Sequence, residues 1–240
     1  MCGRYTLKCK YERLKKFFEV INNIAELKLR YNIAPSQQAP VVLMEDGARW
    51  MRMMRWGLVP HWAKDTDFAV NLINAKAETV HEKASFRDAF EKRRCLVPAT
   101  GFYEWYQPEW TNKNIPVYFY PKDELFAFAG IWDENHPPGK HPLLTYSIIT
   151  TEPNDLVRPY HNRMPVILPR EAFGLWLSGR MGDMEKLQSL LHAYPSDEMA
   201  MTHVSLQVNS PKHDTPDCIK PVDVYDIKAQ MKYGQKEMDF

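Results

Sequence analysis

The feature that most constrains the fold is a run of short segments rich in β-branched and aromatic residues, with turn residues between several of them. Only short helical patterns, at 83–92, 170–177 and 183–191, interrupt or follow this run. Hairpin-like spacing favours antiparallel pairing, so we predict an α+β fold: a mainly antiparallel sheet or open barrel with peripheral helices. The predicted strands cover residues 94–99, 102–106, 115–120, 126–132 and 145–150.

The first half of the chain adds one amphipathic helix and two further extended segments. Apolar residues recur at helical spacing over 10–24, which predicts a helix that packs on the core. A proline-punctuated loop, a short apolar strand and the run ARWMRMMRW follow. Because no composition break marks a linker, we predict one domain over 1–240, with a polar tail that frays after about residue 225.

Composition limits the classes of partner and the cellular compartment. The formal net charge is only +1, so affinity for nucleic acid would require a local basic patch. There is neither a signal peptide nor an apolar run of membrane-spanning length, and we expect a cytoplasmic protein. The four cysteines lack CxxC spacing and the histidines lack HExxH, so we expect no disulfide, no metal and no cofactor.

The opening residues MCGRYT place a cysteine where removal of Met1 would create a 1,2-aminothiol. The free α-amine, with an unperturbed pKa of about 8, would lie two carbons from a thiol of about 8.5. Such a pair suits aldehydes, because the amine condenses to an imine and the sulfur closes a five-membered thiazolidine. Gly3 permits close approach of a ligand, and Arg4 offers a planar fork for phosphate or carboxylate. We therefore treat Cys2 as a candidate nucleophile.

Two segments supply candidate polar groups for this chemistry. In RCLVPATGFYEWY, Glu104 would share a strand face with aromatic side chains, and desolvation would raise its pKa towards that of a useful proton donor. The alternative is an edge-strand carboxylate that faces water. In NLINAKAET, Asn74 could hydrogen-bond a substrate, although capping a helical turn is the simpler interpretation. Lys76 could contact a phosphate or could be a solvated surface charge.

A proline-bounded loop, RPYHNRMPVIL, contains a histidine and an arginine two residues apart. His161 is a candidate acid or base and Arg163 a candidate anion ligand, although a lone histidine is equally often structural. Trp62 and Trp105 could stack on unpaired bases, whereas most of the seven tryptophans would pack in or around the core.

Taken together, MCGRYT, NLINAKAET, RCLVPATGFYEW and HNRMP, in this order and spacing, resemble the SRAP family of abasic-site processing proteins. The resemblance spans nearly the whole chain, since YNIAPSQ, WGLVP, SIITTEPN and VNSPKHDTPDCIKP also match. MCGR together with GFYEW is the most specific part of it.

The resemblance implies that Met1 is removed and that Cys2 forms a thiazolidine crosslink with the ring-opened aldehyde of an abasic site in single-stranded DNA. It implies that Glu104 assists proton transfer, Asn74 positions the sugar, and His161 assists ring opening, imine chemistry or crosslink reversal. Weak incision of abasic sites and autocatalytic removal of a leader peptide are also implied. A monomer that is nucleoid-associated when bound to DNA is expected. The residues implied to line the DNA groove or pack near the site are Arg4, Pro35, Trp62, Trp105, Thr150 and Arg163.

The sequence departs from the family pattern at one position. Lys76 stands where the family usually has arginine in an N-A-R motif, so the charge is kept while the bidentate fork for phosphate is lost. We expect a modest loss of DNA affinity and no loss of chemistry.

Two other functions remain open from the residues alone. Glutamine amidotransferases of the N-terminal nucleophile type also begin with MCG after processing, but Arg4 stands here where they usually have an apolar residue, and we find no oxyanion hole in the sequence. A non-covalent single-strand binder would rely on stacking tryptophans and a basic groove, and high salt would fully reverse its binding.

Overall fold

A computed structural model describes residues 2–24, 26–64, 72–123, 125–139, 141–178 and 183–233. Most of its regular structure is β-strand, and its helices are short. The strands are β1 (Tyr5–Leu7), β2 (Arg30–Ile33), β3 (Gln38–Glu45), β4 (Ala48–Trp56), β5 (Asn74–Lys76), β6 (Arg94–Ala99), β7 (Gly101–Tyr106), β8 (Ile115–Pro121), β9 (Phe126–Asn135), β10 (Leu143–Thr151), β11 (Met164–Pro165), β12 (Ile167–Leu168) and β13 (Met199–His203). The helices are α1 (Tyr11–Phe18), α2 (Arg87–Lys92), α3 (Phe173–Ser178), α4 (Met184–Ser189) and α5 (Val224–Tyr233).

Five strands form a closed ring in the order β10-β4-β3-β6-β9, and β9 pairs back onto β10. The pairing is antiparallel throughout except between β10 and β4. The expected fold class is confirmed, but the barrel predicted to be open is closed in this ring. Closure depends on pairing between β4 and β10, whose contact at Arg55 and Thr145 joins residues far apart in the chain.

Five other strands form a second, antiparallel sheet in the order β13-β8-β7-β1-β2. Strand β1 therefore lies between two neighbours, with Tyr5 opposite Ile33 on one side and Phe102 on the other. The ring of Tyr5 contacts Trp56 of the barrel edge-on, and its hydroxyl lies 2.7 Å from that of Tyr146. These contacts join the beginning of the chain to the barrel core.

The predicted strands are all present, and β9 and β10 extend beyond their predicted ends. The helix predicted over 10–24 is too long, because α1 ends at Phe18. Glu19 adopts a left-handed conformation with φ 55°, and Val20 then bridges to Arg49 of β4. Ile21, one of the apolar residues in that predicted helix, lies beyond α1 and is 56% exposed. The helices predicted over 83–92 and 183–191 are present but begin later, at Arg87 and Met184. The helix predicted over 170–177 begins with a 3₁₀ turn at Arg170 and continues as α3.

The tail predicted to fray after residue 225 is helical as far as Tyr233. Residues 234–240 lie outside the described residues, as does Met1. All four cysteines are buried, and none of them forms a disulfide. Within the described ranges, no helix combines the length and apolar character needed to cross a bilayer.

Candidate functional site

Cys2 lies at the entry to β1 and is completely buried. The register of β1 against β7 continues past Tyr5, because the Tyr103 backbone N–H donates to the Arg4 carbonyl at 3.0 Å. This antiparallel run brings the residues before Arg4 alongside Glu104. Burial raises the pKa of the Cys2 thiol well above its usual range, and the charge of the nearby Glu104 raises it further. The thiol is therefore protonated at neutral pH.

Glu104 is buried in the middle of the second sheet, with only 2% of its surface exposed. Strand β7 has a neighbour on each side, so the edge-strand interpretation of this carboxylate is wrong. Desolvation raises its pKa to about 8, as the sequence predicted in direction. Its Oε1 accepts no hydrogen bond from the part of the chain that is described. A carboxylic acid of this kind holds its proton at pH 7 and can donate it.

His161 brings a second titratable group to the same place. Its Nδ1 lies 3.7 Å from Oε1 of Glu104, although the two residues are far apart in sequence. Partial burial lowers the pKa of His161, which favours the neutral ring at neutral pH. Nδ1 lies 3.0 Å from the Arg163 carbonyl and 3.1 Å from the Arg163 backbone N–H, so it donates to the carbonyl or accepts from the N–H according to which ring nitrogen carries the proton.

Asn74 connects this cluster to the start of the chain. Its side-chain amide donates to the Cys2 carbonyl at 2.8 Å. The residue opens β5, which pairs in parallel with β10, so the helix-capping interpretation is wrong. Its Oδ1 is buried and finds no hydrogen-bond donor among the described residues. Asn74 thus fixes the Cys2 backbone while retaining an acceptor for another molecule.

Arg163 is held by three hydrogen bonds of its guanidinium. Nη1 and Nη2 donate to the two carboxylate oxygens of Glu78, at 2.7 and 3.0 Å. Nη2 also donates to the Thr150 carbonyl at 2.5 Å. The Thr150 side chain is 1% exposed and turns towards Ala75, so it does not line an open surface. Through its carbonyl, Thr150 instead anchors Arg163.

Arg4 and Trp105 lie together at the mouth of an open pocket of about 570 Å³. The Arg4 guanidinium lies 5.6 Å from the centre of the Trp105 ring and donates to the Asn32 side chain and the Val208 carbonyl. The Trp105 indole N–H donates to Asn209 at 2.7 Å. The pocket lining includes Gly3, which adjoins Cys2, as well as Lys113 and Asn114.

The other predicted site residues lie at or near the surface. Lys76 is exposed at the end of β5, and Pro35 is half-buried in the turn after β2. Trp62 is 50% exposed and lies on a loop. Asn135 fixes the backbone of this loop, because its side-chain amide donates to the carbonyls of Pro60, His61 and Ala63. Across the described residues, no three His, Cys, Asp or Glu side chains are grouped to hold a metal ion.

Sequence reasoning missed three residues of this region: Asn32, Glu78 and Asn209. Glu78 was visible only as an acidic residue in NLINAKAET, and its partner Arg163 is 85 residues away. The Asn32 side-chain amide donates to the Val208 carbonyl, 176 residues further along the chain. Long-range pairings of this kind leave no local sequence signal.

Comparisons with known proteins agree on one family. The SOS response associated peptidase (SRAP) family model matches residues 1–211. The chain is 41% identical to the abasic site processing protein YoqW of Bacillus subtilis, over 92% of this chain and 99% of that protein. It is 33% identical to the abasic site processing protein HMCES of Rattus norvegicus, over 86% of this chain and 69% of that one.

A solved structure of similar fold comes from Bacteroides thetaiotaomicron. It superposes with a TM-score of 0.82 at 27% identity, over 92% of this chain and all of that one. The fold, the family match and the two named relatives therefore place this chain in the SRAP family.

Proposed function

We propose that this protein processes abasic sites in single-stranded DNA by covalent capture at Cys2. The observation that carries the proposal is the arrangement around that residue: Asn74 holds its carbonyl, and Glu104, which is paired with His161, acts electrostatically on its thiol. The names of the relatives, YoqW and HMCES, point to the same substrate. The reaction requires that Met1 be removed, so that Cys2 supplies both an amine and a thiol.

The chemistry begins at the amine, because burial keeps the Cys2 thiol protonated and weakly nucleophilic. The amine adds to C1′ of the open-chain sugar, forming a C–N bond and a carbinolamine. Loss of water gives an imine, and the thiol then adds across the C=N bond. Its sulfur bonds to carbon and its proton ends on nitrogen, which closes a thiazolidine. The net change is loss of one water, with no oxidation or reduction.

The surrounding side chains supply the proton transfers. Glu104, with its pKa raised to about 8, is protonated at pH 7 and donates to the departing hydroxyl of the carbinolamine. Burial lowers the pKa of His161, so its ring is neutral at pH 7. The neutral ring accepts a proton during ring opening. Asn74 fixes the Cys2 backbone and offers its free Oδ1 to a sugar hydroxyl. The same imine can undergo β-elimination, so slow strand incision is expected where thiol closure fails.

The DNA strand is held by stacking and by local positive charge, since the net charge of the chain is only +1. The pocket beside Gly3 offers the Trp105 ring for an adjacent base and Lys113 for a phosphate. Lys76 extends the positive surface from the other side of Asn74. Nothing in this arrangement reads base edges, so the lesion itself determines where the protein reacts.

Denaturing electrophoresis with a labelled abasic oligonucleotide tests the proposal. The purified protein should give a slower-migrating species that survives denaturant, and intact mass measurement should show loss of Met1. Cys2→Ala, or one residue inserted before Cys2, should abolish the species. Cys9→Ala is the matched control, because this cysteine is also buried but its nitrogen is in an amide.

The other outcomes identify the competing functions. A complex that high salt fully dissociates, with no covalent species, would indicate a non-covalent single-strand binder. Release of ammonia from glutamine by the mature protein would indicate an amidase. Either result without crosslinking would refute capture at Cys2.

A further inference from the structure

Glu78 holds the face of Arg163 that a DNA phosphate would need. The carboxylate accepts two parallel hydrogen bonds from Nη1 and Nη2, the geometry in which arginine also binds phosphate. Nε of Arg163 is buried and has no partner within the described ranges, so the fork towards Glu78 is the part of the guanidinium available to an anion.

The two partners of this ion pair differ in how firmly the fold holds them. The Arg163 side chain is 14% exposed and is anchored by the Thr150 carbonyl. The Glu78 side chain is 48% exposed, and its pKa is lowered chiefly by its hydrogen bonds to Arg163. The Glu78 end of the pair lies in solvent, where ion pairs contribute little to stability, so this carboxylate can leave at small cost while the arginine stays in place.

The position of the pair connects it to the reaction site. The Arg163 backbone contacts His161 Nδ1 through its carbonyl and N–H, at 3.0 and 3.1 Å. The charge of Lys76 also contributes to the lowered pKa of Glu78. The anionic side chain is therefore paired with Arg163 and also attracted by Lys76, two cations that are near neighbours of His161 and Asn74 in the sequence. A strand that presents its abasic sugar to Cys2 would bring a phosphate towards these cations.

We propose that Glu78 competes with a DNA phosphate for Arg163 and thereby weakens non-covalent binding of undamaged strands. This inference rests on the proposed function. An intact strand must displace Glu78 and gains no covalent bond, so it is held weakly and released. Binding of an abasic strand has the same free-energy cost of displacing Glu78, but the strand is then retained by the bond to Cys2. Glu78 thus lowers affinity for undamaged DNA without contacting the reacting atoms.

The test is binding of a fluorescent, undamaged single-stranded oligonucleotide, measured by anisotropy across a salt series. Glu78→Gln should bind about 3- to 10-fold more tightly at low salt. The plot of log K against log salt should steepen by about 0.7, the value for one phosphate on a single strand, because no displaced carboxylate takes up a cation in exchange. In the Glu78→Gln background, Arg163→Gln should remove the gain.

Glu45→Gln is the matched control, because Glu45 also pairs with an arginine through two hydrogen bonds, from Arg52 on the β3–β4 hairpin. It changes net charge equally and should bind as the wild type does. Glu78→Asp keeps the charge but shortens the side chain, and it should give a smaller gain in affinity. It also provides the test if Glu78→Gln fails to fold.

Unchanged or weaker binding by folded Glu78→Gln, or an equal gain in Glu45→Gln, would overturn the inference. Crosslinking of the wild type to an abasic strand is scored separately. Its absence refutes the proposed function, whereas its presence without a gain in Glu78→Gln refutes only the competition.

Discussion

Replacement of Glu104 by glutamine should stabilise the fold increasingly as pH rises. Below pH 4.5 the carboxyl is protonated in both the folded and the unfolded chain. Between 4.5 and about 8 it is ionised only in the unfolded chain, because burial raises its pKa in the fold. The folded state then binds more protons, so the free energy of unfolding falls with rising pH over this window.

The magnitude follows from the two pKa values, 4.5 and about 8. Each pH unit between them removes roughly 1.4 kcal/mol, so the full loss approaches ~5 kcal/mol, of which ~3 kcal/mol falls between about pH 5.5 and 8. Glutamine has the same shape and does not ionise, so Glu104→Gln lacks this contribution. The stability gap between the two proteins should widen by about that amount across the same range.

Urea unfolding followed by circular dichroism, at several pH values from 5.5 to 8, measures the gap. Glu109→Gln is the control, because Glu109 is exposed in the turn after β7 and its replacement should leave the pH dependence of the wild type unchanged. Parallel curves for wild type and Glu104→Gln would show that Glu104 is ionised in the fold at neutral pH. That result would remove the proton donor from the proposed reaction.

Three further predictions concern crosslinking and DNA binding. Glu104→Gln should slow crosslinking on the order of 100-fold in single-turnover assays and abolish the decline in rate above about pH 8, whereas a retained decline would assign it to another group. Asn74→Ala removes the hydrogen bond to the Cys2 carbonyl and should slow crosslinking roughly 5-fold at saturating DNA, the equivalent of about 1 kcal/mol. Lys76→Arg should tighten binding of undamaged single strands about 3-fold by anisotropy, because a planar fork replaces a point charge; equal affinity would show that Lys76 does not contact phosphate.

The local structure was predictable where a segment carries its own pattern. The run at 94–99 matches β6 to the residue, because its length suits a strand and is too short for a typical helix. The helix over 10–24 was overextended, because periodicity does not reveal the left-handed conformation of Glu19. Strand β5 was missed because three residues are too few to show a period.

The site was predictable in its members and not in its connections. Cys2, Glu104 and His161 stood out by residue type and motif, and the structure brings Glu104 and His161 within 3.7 Å. The bond from Asn74 to Cys2 and the ion pair of Arg163 with Glu78 depend on strand pairings that no local pattern encodes. Closure of the barrel by the pairing of β10 with β4 could not be predicted from the sequence for the same reason.

The inner position of β1 has a consequence for how a damaged strand would meet the protein. With neighbours on both sides, the segment that carries Cys2 cannot swing out as a tethered tail could. On the proposed function the nucleophile is stationary, and the sugar must turn out of the stacked single strand to reach it. A nucleotide that has lost its base has no stacking to give up and makes this excursion at the lowest cost. A rigid site would therefore favour the abasic nucleotide, because this nucleotide is the one most easily moved out of the strand.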